Sequence, residues 1–287
     1  MSVAQSVPMA SLSRRALGSI AAAAFLALFA LVRLVPLVNS ADRSASSGRL
    51  DSGTTLIAIE RFALATVSLA TLALGLLVLG VVTVRRRGVG AGVRIVASVV
   101  GAAVSADVLK RVLPFDPGQS DTGQAITSGS FPSGHSAIAA AFALAVAATL
   151  GPRLARLWWG PLVMWVSLVA AGTVAAGWHR PSDAVGGVLL AVVWHTALVR
   201  RPAVEEAPAM VVRERSAVLS RLVVPGWRWW LAACAAILVG ALLPHAGPEI
   251  ELRETASHLY VIGLAAVLAT TGALMLVVQD RVPVGSR

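Results

Sequence analysis

Apolar stretches of about 20 residues alternate with short polar segments along most of the chain. As a helix, a stretch of this length crosses a hydrocarbon core of roughly 30 Å. The period-two alternation that a membrane β-barrel requires is not visible in the sequence. The pattern predicts eight transmembrane helices, at about 17–38, 62–84, 92–112, 135–151, 157–177, 182–199, 229–244 and 258–279.

The composition supports a membrane protein. The chain of 287 residues is 57% hydrophobic and only 13% charged, whereas a soluble domain has roughly 45–50% apolar and about 25% charged residues. The predicted fold class is therefore all-α, a polytopic membrane helical bundle. Its expected units are a six-helix core at 1–200, a charged cytoplasmic connector at 201–228, and two additional helices at 229–287.

The first apolar stretch has a second interpretation as a secretory signal peptide, with a cleavage site near 38–40. Its apolar part is long for a signal peptide and further spans follow, which favours an uncleaved first helix. The polar segment at 39–61 is then expected to be a loop on the outer side of the membrane.

The basic residues indicate the orientation of the chain. The net charge of +10 is spread over alternate loops, as the positive-inside rule predicts, and not in a nucleic-acid-binding patch. Sixteen arginines fall on the side of both termini, against seven basic residues in the opposite loops. We therefore expect a multi-pass protein of the plasma membrane with both termini cytoplasmic and no nucleic-acid partner.

Three chemically distinctive segments then fall on the outer face. They contain Lys110, which is the single lysine of the chain, the loop at 130–135, and the segment at 177–183. Ser133 and Gly134 stand where an apolar helix begins, and free N–H groups at a helix start favour an anion. Asp183 lies four residues after His179, so its carboxylate is placed to orient one ring nitrogen.

These groups fit phosphoryl transfer without a metal. Cations, amides and a hydroxyl would surround the anion, one histidine would attack, and the other would protonate the leaving oxygen. No cluster has the spacing of metal ligands, and Cys234 is the single cysteine, so we expect neither a metal nor another cofactor. A Ser133, His135 and Asp183 triad is an alternative, although Gly-x-Ser-x-Gly is absent.

At these residues the chain resembles the phosphatidic acid phosphatase type 2/haloperoxidase superfamily, in its membrane lipid phosphatase branch. The three motifs of that family are Lys-x6-Arg-Pro, Pro-Ser-Gly-His and Ser-Arg-x5-His-x3-Asp. The second is matched in full by residues 132–135, the third by His179 and Asp183, and the first at Lys110. The matched positions lie within 107–184, and the resemblance covers about 90–200, while the last two predicted spans lie outside it.

The resemblance implies roles for the matched residues. His179 would be the nucleophile that forms a phosphohistidine, Asp183 would orient it, and His135 would be the acid for the leaving group. Lys110, Ser133 and Gly134 would bind the phosphate. The implied substrate is a lipid phosphate from the outer leaflet, either phosphatidic acid or a polyprenyl diphosphate, and nothing in the sequence separates the two.

Two arginines of the family motifs are missing. The first motif would place Arg-Pro at 117–118, where the chain has Pro117 and Gly118, and the third would place Ser-Arg at Gly172 and Thr173. Arg111 and Arg180 adjoin the motif positions and are candidate substitutes, as is Arg33. The alternative function is a weak or inactive relative that binds lipid phosphate or assists transport.

The remaining polar residues of the spans have structural interpretations. Asp107 is placed to pair with Lys110 or Arg111 one turn along the helix. His195 is expected to be a core polar residue, and His245 and His258 are expected to lie at the membrane interface. The oligomeric state is left open by the sequence.

Overall fold

The computed structural model describes residues 14–47, 64–113, 130–150 and 152–199, together with residues 267 and 272. All regular structure in these ranges is helical, which confirms the predicted all-α membrane bundle. The helices are α1 (Arg14–Leu34), α2 (Pro36–Ser47), α3 (Leu69–Arg87), α4 (Val89–Val112), α5 (Gly134–Leu150), α6 (Pro152–Ala175) and α7 (Pro181–Leu198).

Five helical stretches in the described residues are long and apolar enough to cross a membrane. These are Arg14–Leu34, Leu69–Arg87, Val89–Val112, Leu157–Ala175 and Pro181–Leu198. The apolar helix α5 is shorter, with 17 residues. Together they correspond to the first six predicted spans, whereas the predicted spans at 229–244 and 258–279 and the connector at 201–228 lie outside the described residues.

The segment after the first span differs from the prediction. Residues 39–61 were expected to form a loop, but α2 continues the chain as a helix from Pro36 to Ser47. Pro36 explains the break, because proline has no N–H for a helix interior yet suits the first turn of a new helix. The first span therefore ends at Leu34, and a short second helix follows it.

Local sequence signals define the boundary between α3 and α4. The N-cap of α3 is Ser68, whose hydroxyl accepts a hydrogen bond from Thr71 N at 3.2 Å, so the helix begins later than the predicted residue 62. Three arginines occupy its last turn, where positive charge complements the helix dipole. Gly88 alone separates α3 from α4, and its φ of +83° is a conformation that favours glycine.

The centre of the bundle is formed by α5 and α7. Each packs against the other and against α4, and α7 also packs along α1. Small residues permit this close packing, since alanines of α5 and paired glycines of α7 are almost fully buried. The close approach is clearest at Gly187, where an added Cβ would lie 2.4 Å from the carbonyl oxygen of Ser133.

The outer helices expose large apolar side chains, as a lipid-facing surface requires. Leu34 of α1 and Leu69 of α3 are 76% and 86% exposed, and Val93 and Val104 of α4 are also exposed. Exposed apolar surface on this scale is unusual for a soluble monomer. The residues of the bundle thus separate into a small-residue core and an apolar exterior.

Candidate active site

The residues of the three sequence motifs lie at one end of the bundle, where α4 ends and α5 and α7 begin. At the opposite end, the Arg14 guanidinium donates a hydrogen bond to the carbonyl oxygen of Val199, joining the start of α1 to the end of α7. The helices that carry Lys110, His135 and Asp183 thus present these residues at a common end.

Ser133 caps α5 and joins it to α7. Its hydroxyl accepts hydrogen bonds from Ser136 N at 3.4 Å and from Ser136 Oγ at 3.1 Å, and its side chain is buried. Its backbone N–H donates to the carbonyl oxygen of Asp183 at 2.8 Å. The N–H groups of Gly134 and His135 then occupy the first helical positions, which have no acceptor within their own helix.

Lys110 reaches the start of α5 from the end of α4. Its ammonium nitrogen lies 3.7 Å from the position that a Cβ on Gly134 would occupy. A cavity of about 210 Å³ opens at this point, and its lining combines polar and apolar residues. The lining residues are Val67, Ala103, Asp107, Lys110, Gly134, His135 and Ile138.

His179, in the bend before α7, lies against Asp183 in the first turn of α7. The Nδ1 atom of His179 lies 3.5 Å from Asp183 Oδ2, at the long limit of a hydrogen bond, and both side chains are buried. The same carboxylate oxygen accepts a hydrogen bond from Arg180 N at 2.8 Å. Because Asp183 approaches Nδ1, the Nε2 atom of His179 is the nitrogen left for chemistry.

The backbone also holds His179 in place. Its N–H donates to the carbonyl oxygen of Thr173 at 3.1 Å, and Gly177 permits the preceding turn with a φ of +70°. Trp178 packs its ring against His135, with centroids 5.4 Å apart. His135 lies close enough to both His179 and Lys110 for their charges to interact.

The serine triad considered from the sequence is not the arrangement found. The Ser133 hydroxyl is engaged with Ser136, and the Asp183 carboxylate lies against His179. The observed pairing is therefore histidine with aspartate, beside a separate helix start that carries the second histidine.

The two candidate arginine substitutes have different surroundings. Arg111 is 72% exposed and forms an ion pair with Asp107 at 2.8 Å, which is the structural pairing expected for Asp107. Arg180 is partly buried at the N-cap of α7, and its Nη1 donates to Asn39 Oδ1 at 3.4 Å. Arg33 lies in the last turn of α1.

Thr173 stands where the third family motif has an arginine, and this position has no room for a longer side chain. Thr173 is fully buried, and its hydroxyl donates to the carbonyl oxygen of Ala170 at 2.8 Å. The expected position of the other arginine, at 117–118, lies outside the described residues.

Sequence reasoning missed one group at the site, which is contributed by α2. Asp42 accepts hydrogen bonds from Ser182 N at 3.0 Å and Ser182 Oγ at 2.6 Å. Burial raises the pKa of Asp42 to about 6, partly offset by the hydrogen bonds from Ser182. The polar composition of 39–61 resembled a loop and gave no signal that this carboxylate returns to α7.

Comparison with known families gives one match. Residues 87–205 match the family model of the PAP2 superfamily, which confirms the resemblance inferred from the motifs. The match extends from the last residue of α3 to beyond α7, in a protein with apolar helices long enough to cross a membrane. The match suggests a phosphatase-type activity on lipid phosphates. Neither the curated proteins nor the solved structures contain a significant match to the chain.

Proposed function

We propose that the protein is a metal-independent lipid-phosphate phosphatase that works through a phosphohistidine on His179. The observation that carries the proposal is the buried His179–Asp183 pair, which lies near His135 at the start of α5 and near Lys110 at the end of α4. A phosphatase of this kind needs a nucleophile, an acid and an anion site, and these residues supply one candidate for each.

In the first step, Nε2 of His179 attacks phosphorus and the bond from phosphorus to the lipid oxygen breaks. His135 donates a proton to that oxygen, which leaves as the lipid alcohol or, from a diphosphate, as the monophosphate. Asp183 stabilises the positive charge that develops on the His179 ring and holds the tautomer with the proton on Nδ1.

In the second step, water attacks phosphorus and the bond to Nε2 of His179 breaks. His135 now accepts the proton from the water, so it returns to its starting state as phosphate is released. The same residue thus serves as acid in one step and as base in the next, and no co-reactant besides water is required.

The phosphate would bind against Lys110 and the N–H groups at the start of α5, where Ser133 caps the helix and Gly134 leaves room for the anion. Charge-assisted hydrogen bonds of this type each contribute roughly 1.5–3 kcal/mol. Of the two adjacent arginines, Arg180 is the better placed, because it directly follows His179 and is partly buried. Arg111 would act at the rim of the cavity, where it pairs with Asp107.

The cavity beside Lys110 supports a lipid substrate. Its polar groups lie next to apolar side chains from α4, from α5 and from the bend before α3, so a head group could bind while its lipid chain stays among apolar residues. The charge distribution of the loops supports an outer location for this end of the bundle. The proposed substrate is a phosphatidic acid or polyprenyl diphosphate of the outer leaflet of the plasma membrane.

The second candidate function is a weak or inactive relative that binds lipid phosphate or assists transport. The closed environment of Thr173 favours it, because no guanidinium from that position reaches the anion site. Its distinguishing property would be phosphate-lipid binding without turnover.

Purified protein assayed in EDTA with short-chain phosphatidate and a polyprenyl diphosphate tests the proposal. We expect phosphate release by the wild type, loss of release in His179→Ala, and retention in His195→Ala, which removes a histidine in the last turn of α7, at the end away from the site. Equal, slow release by wild type and His179→Ala would overturn the enzymatic function. Binding of either lipid without release would establish the second candidate.

A further inference from the structure

The helix α2 lies over the beginning of α7 and contacts it through polar groups. Both carboxylate oxygens of Asp42 are used: Oδ1 accepts from Ser182 N at 3.0 Å and Oδ2 accepts from Ser182 Oγ at 2.6 Å. Ser182 is 6% exposed, so water competes little for these hydrogen bonds. A carboxylate that accepts an N–H in the first turn of a helix performs the function of a cap.

A second contact from α2 reaches the residue before Pro181. The Asn39 side-chain oxygen accepts a hydrogen bond from Arg180 Nη1 at 3.4 Å, and Arg180 is near enough to Asp42 for their charges to attract. The side chains of α2 therefore contact the positions on either side of Pro181.

These contacts fall between the two members of the buried pair. Arg180 and Ser182 are both in the segment 179–183, in which Arg180 N donates to Asp183 Oδ2 at 2.8 Å. Movement of this segment would change the 3.5 Å separation of His179 Nδ1 and Asp183 Oδ2. Burial disfavours the charged form of the Asp42 carboxylate, so keeping it there costs folding free energy. This cost favours a role for Asp42 beyond solubility.

We propose that Asp42 is a positioning residue, which fixes the segment 179–183 through Ser182 and thereby orients His179 against Asp183. The catalytic consequence rests on the proposed phosphatase function, whereas the ordering of the segment does not. Asp42 acts through Ser182 and does not touch the phosphate.

Four variants separate a hydrogen-bonding role of Asp42 from an effect of its charge. They are Asp42→Ala, Asp42→Asn, Ser182→Ala and the double variant Asp42→Ala/Ser182→Ala. An asparagine keeps the shape of Asp42, can accept from Ser182 N and can donate to Ser182 Oγ, but it has no charge. Ser40→Ala is the matched control, because Ser40 is an exposed residue of α2. All variants are prepared as full-length protein in detergent.

The first readout is hydrogen exchange of the peptide that spans 179–183, which needs no enzymatic activity. We expect Asp42→Ala to speed exchange in this peptide by about tenfold or more, since the hydrogen bond from the Ser182 amide is lost. Asp42→Asn and Ser40→Ala should stay near wild type. Unchanged exchange in Asp42→Ala would overturn the proposal, whether or not the protein is a phosphatase.

The second readout is turnover of short-chain phosphatidate. We expect Asp42→Ala to lower kcat by about 10- to 100-fold with little change in KM, and Asp42→Asn to restore most of it. The double variant should be no worse than Asp42→Ala, because the two residues act as a unit. Equal loss in Asp42→Asn and Asp42→Ala, or full kcat in Asp42→Ala, would overturn the positioning role. An inactive wild type would refute the proposed function and leave exchange to decide the positioning role.

Discussion

The contact between α5 and α7 at Gly187 gives the most direct mechanical test of the site. An alanine at this position would place its Cβ 2.4 Å from the carbonyl oxygen of Ser133 and 2.9 Å from Ala137 N. Both are backbone atoms at the start of α5, one in its cap and one in its first turn, so no flexible side chain can move aside. The two helices must therefore separate by about half an ångström or more, since Cβ contacts shorter than 3.0 Å are essentially never found.

This separation would act directly on the proposed site. The hydrogen bond from Ser133 N to the Asp183 carbonyl, 2.8 Å long, crosses the same contact, so His135 and His179 would move relative to each other. Overpacking of this kind costs about 1–3 kcal/mol of stability. A displacement approaching 1 Å in a reacting geometry costs on the order of 100-fold in rate.

Phosphate release and thermal unfolding of purified Gly187→Ala measure the two effects. We expect kcat/KM to fall by about 100-fold, with a lower Tm and unchanged helix content by circular dichroism. Gly90→Ala is the matched control, because no atom lies within 4 Å of the Cβ it would add, and it should keep wild-type activity. Wild-type rate and Tm in Gly187→Ala would refute the close contact of α5 and α7.

Three further predictions follow from the charges around the site. Lys110→Ala should lower kcat/KM by about 10- to 100-fold in the phosphatase assay, with partial recovery in Lys110→Arg, because the cation proposed to bind phosphate is removed. Arg180→Ala should lower kcat/KM more than Arg111→Ala, since Arg111 is exposed and paired with Asp107. Asp42→Asn should raise Tm above wild type at pH 8, with the difference closing towards pH 4, because burial raises the pKa of Asp42 from 3.8 to about 6.

The sign of the last effect follows from proton linkage. The folded protein binds the Asp42 proton more tightly than the unfolded chain, so the associated stability is full below about pH 4 and is lost as pH rises through 6. The largest change in unfolding free energy from this group is ~3 kcal/mol, because each unit of pKa difference corresponds to 1.36 kcal/mol. A difference in Tm between Asp42→Asn and wild type that does not change with pH would contradict this prediction. Full activity in Lys110→Ala, or a larger loss in Arg111→Ala than in Arg180→Ala, would contradict the other two predictions.

Apolar periodicity was sufficient to predict the membrane helices in the described residues. Runs such as 135–151 are long, apolar and bounded by polar residues, so their helical state does not depend on tertiary contacts. The ends were harder to predict: the cap at Ser68 delays α3, and Pro36 divides the first helical region in two. These boundaries depend on single hydrogen bonds and on one missing N–H.

The candidate site was predictable where its residues form local motifs. The four-residue spacing of His179 and Asp183 keeps the two side chains near each other at the start of a helix, and the motif at 132–135 marks another helix start. Asp42 could not be predicted in this way, because its partner Ser182 is 140 residues away and only the packing of α2 on α7 joins them. The roles assigned to the site residues stay predictions until they are measured.

The central claim is that His179 becomes phosphorylated during turnover. Wild-type protein quenched during turnover of phosphatidate with a radiolabelled phosphate should carry acid-labile, alkali-stable label on the peptide that contains His179. The label should be absent from His179→Ala and present in His195→Ala. Turnover without such a label, or label on another residue such as Ser133, would contradict the account.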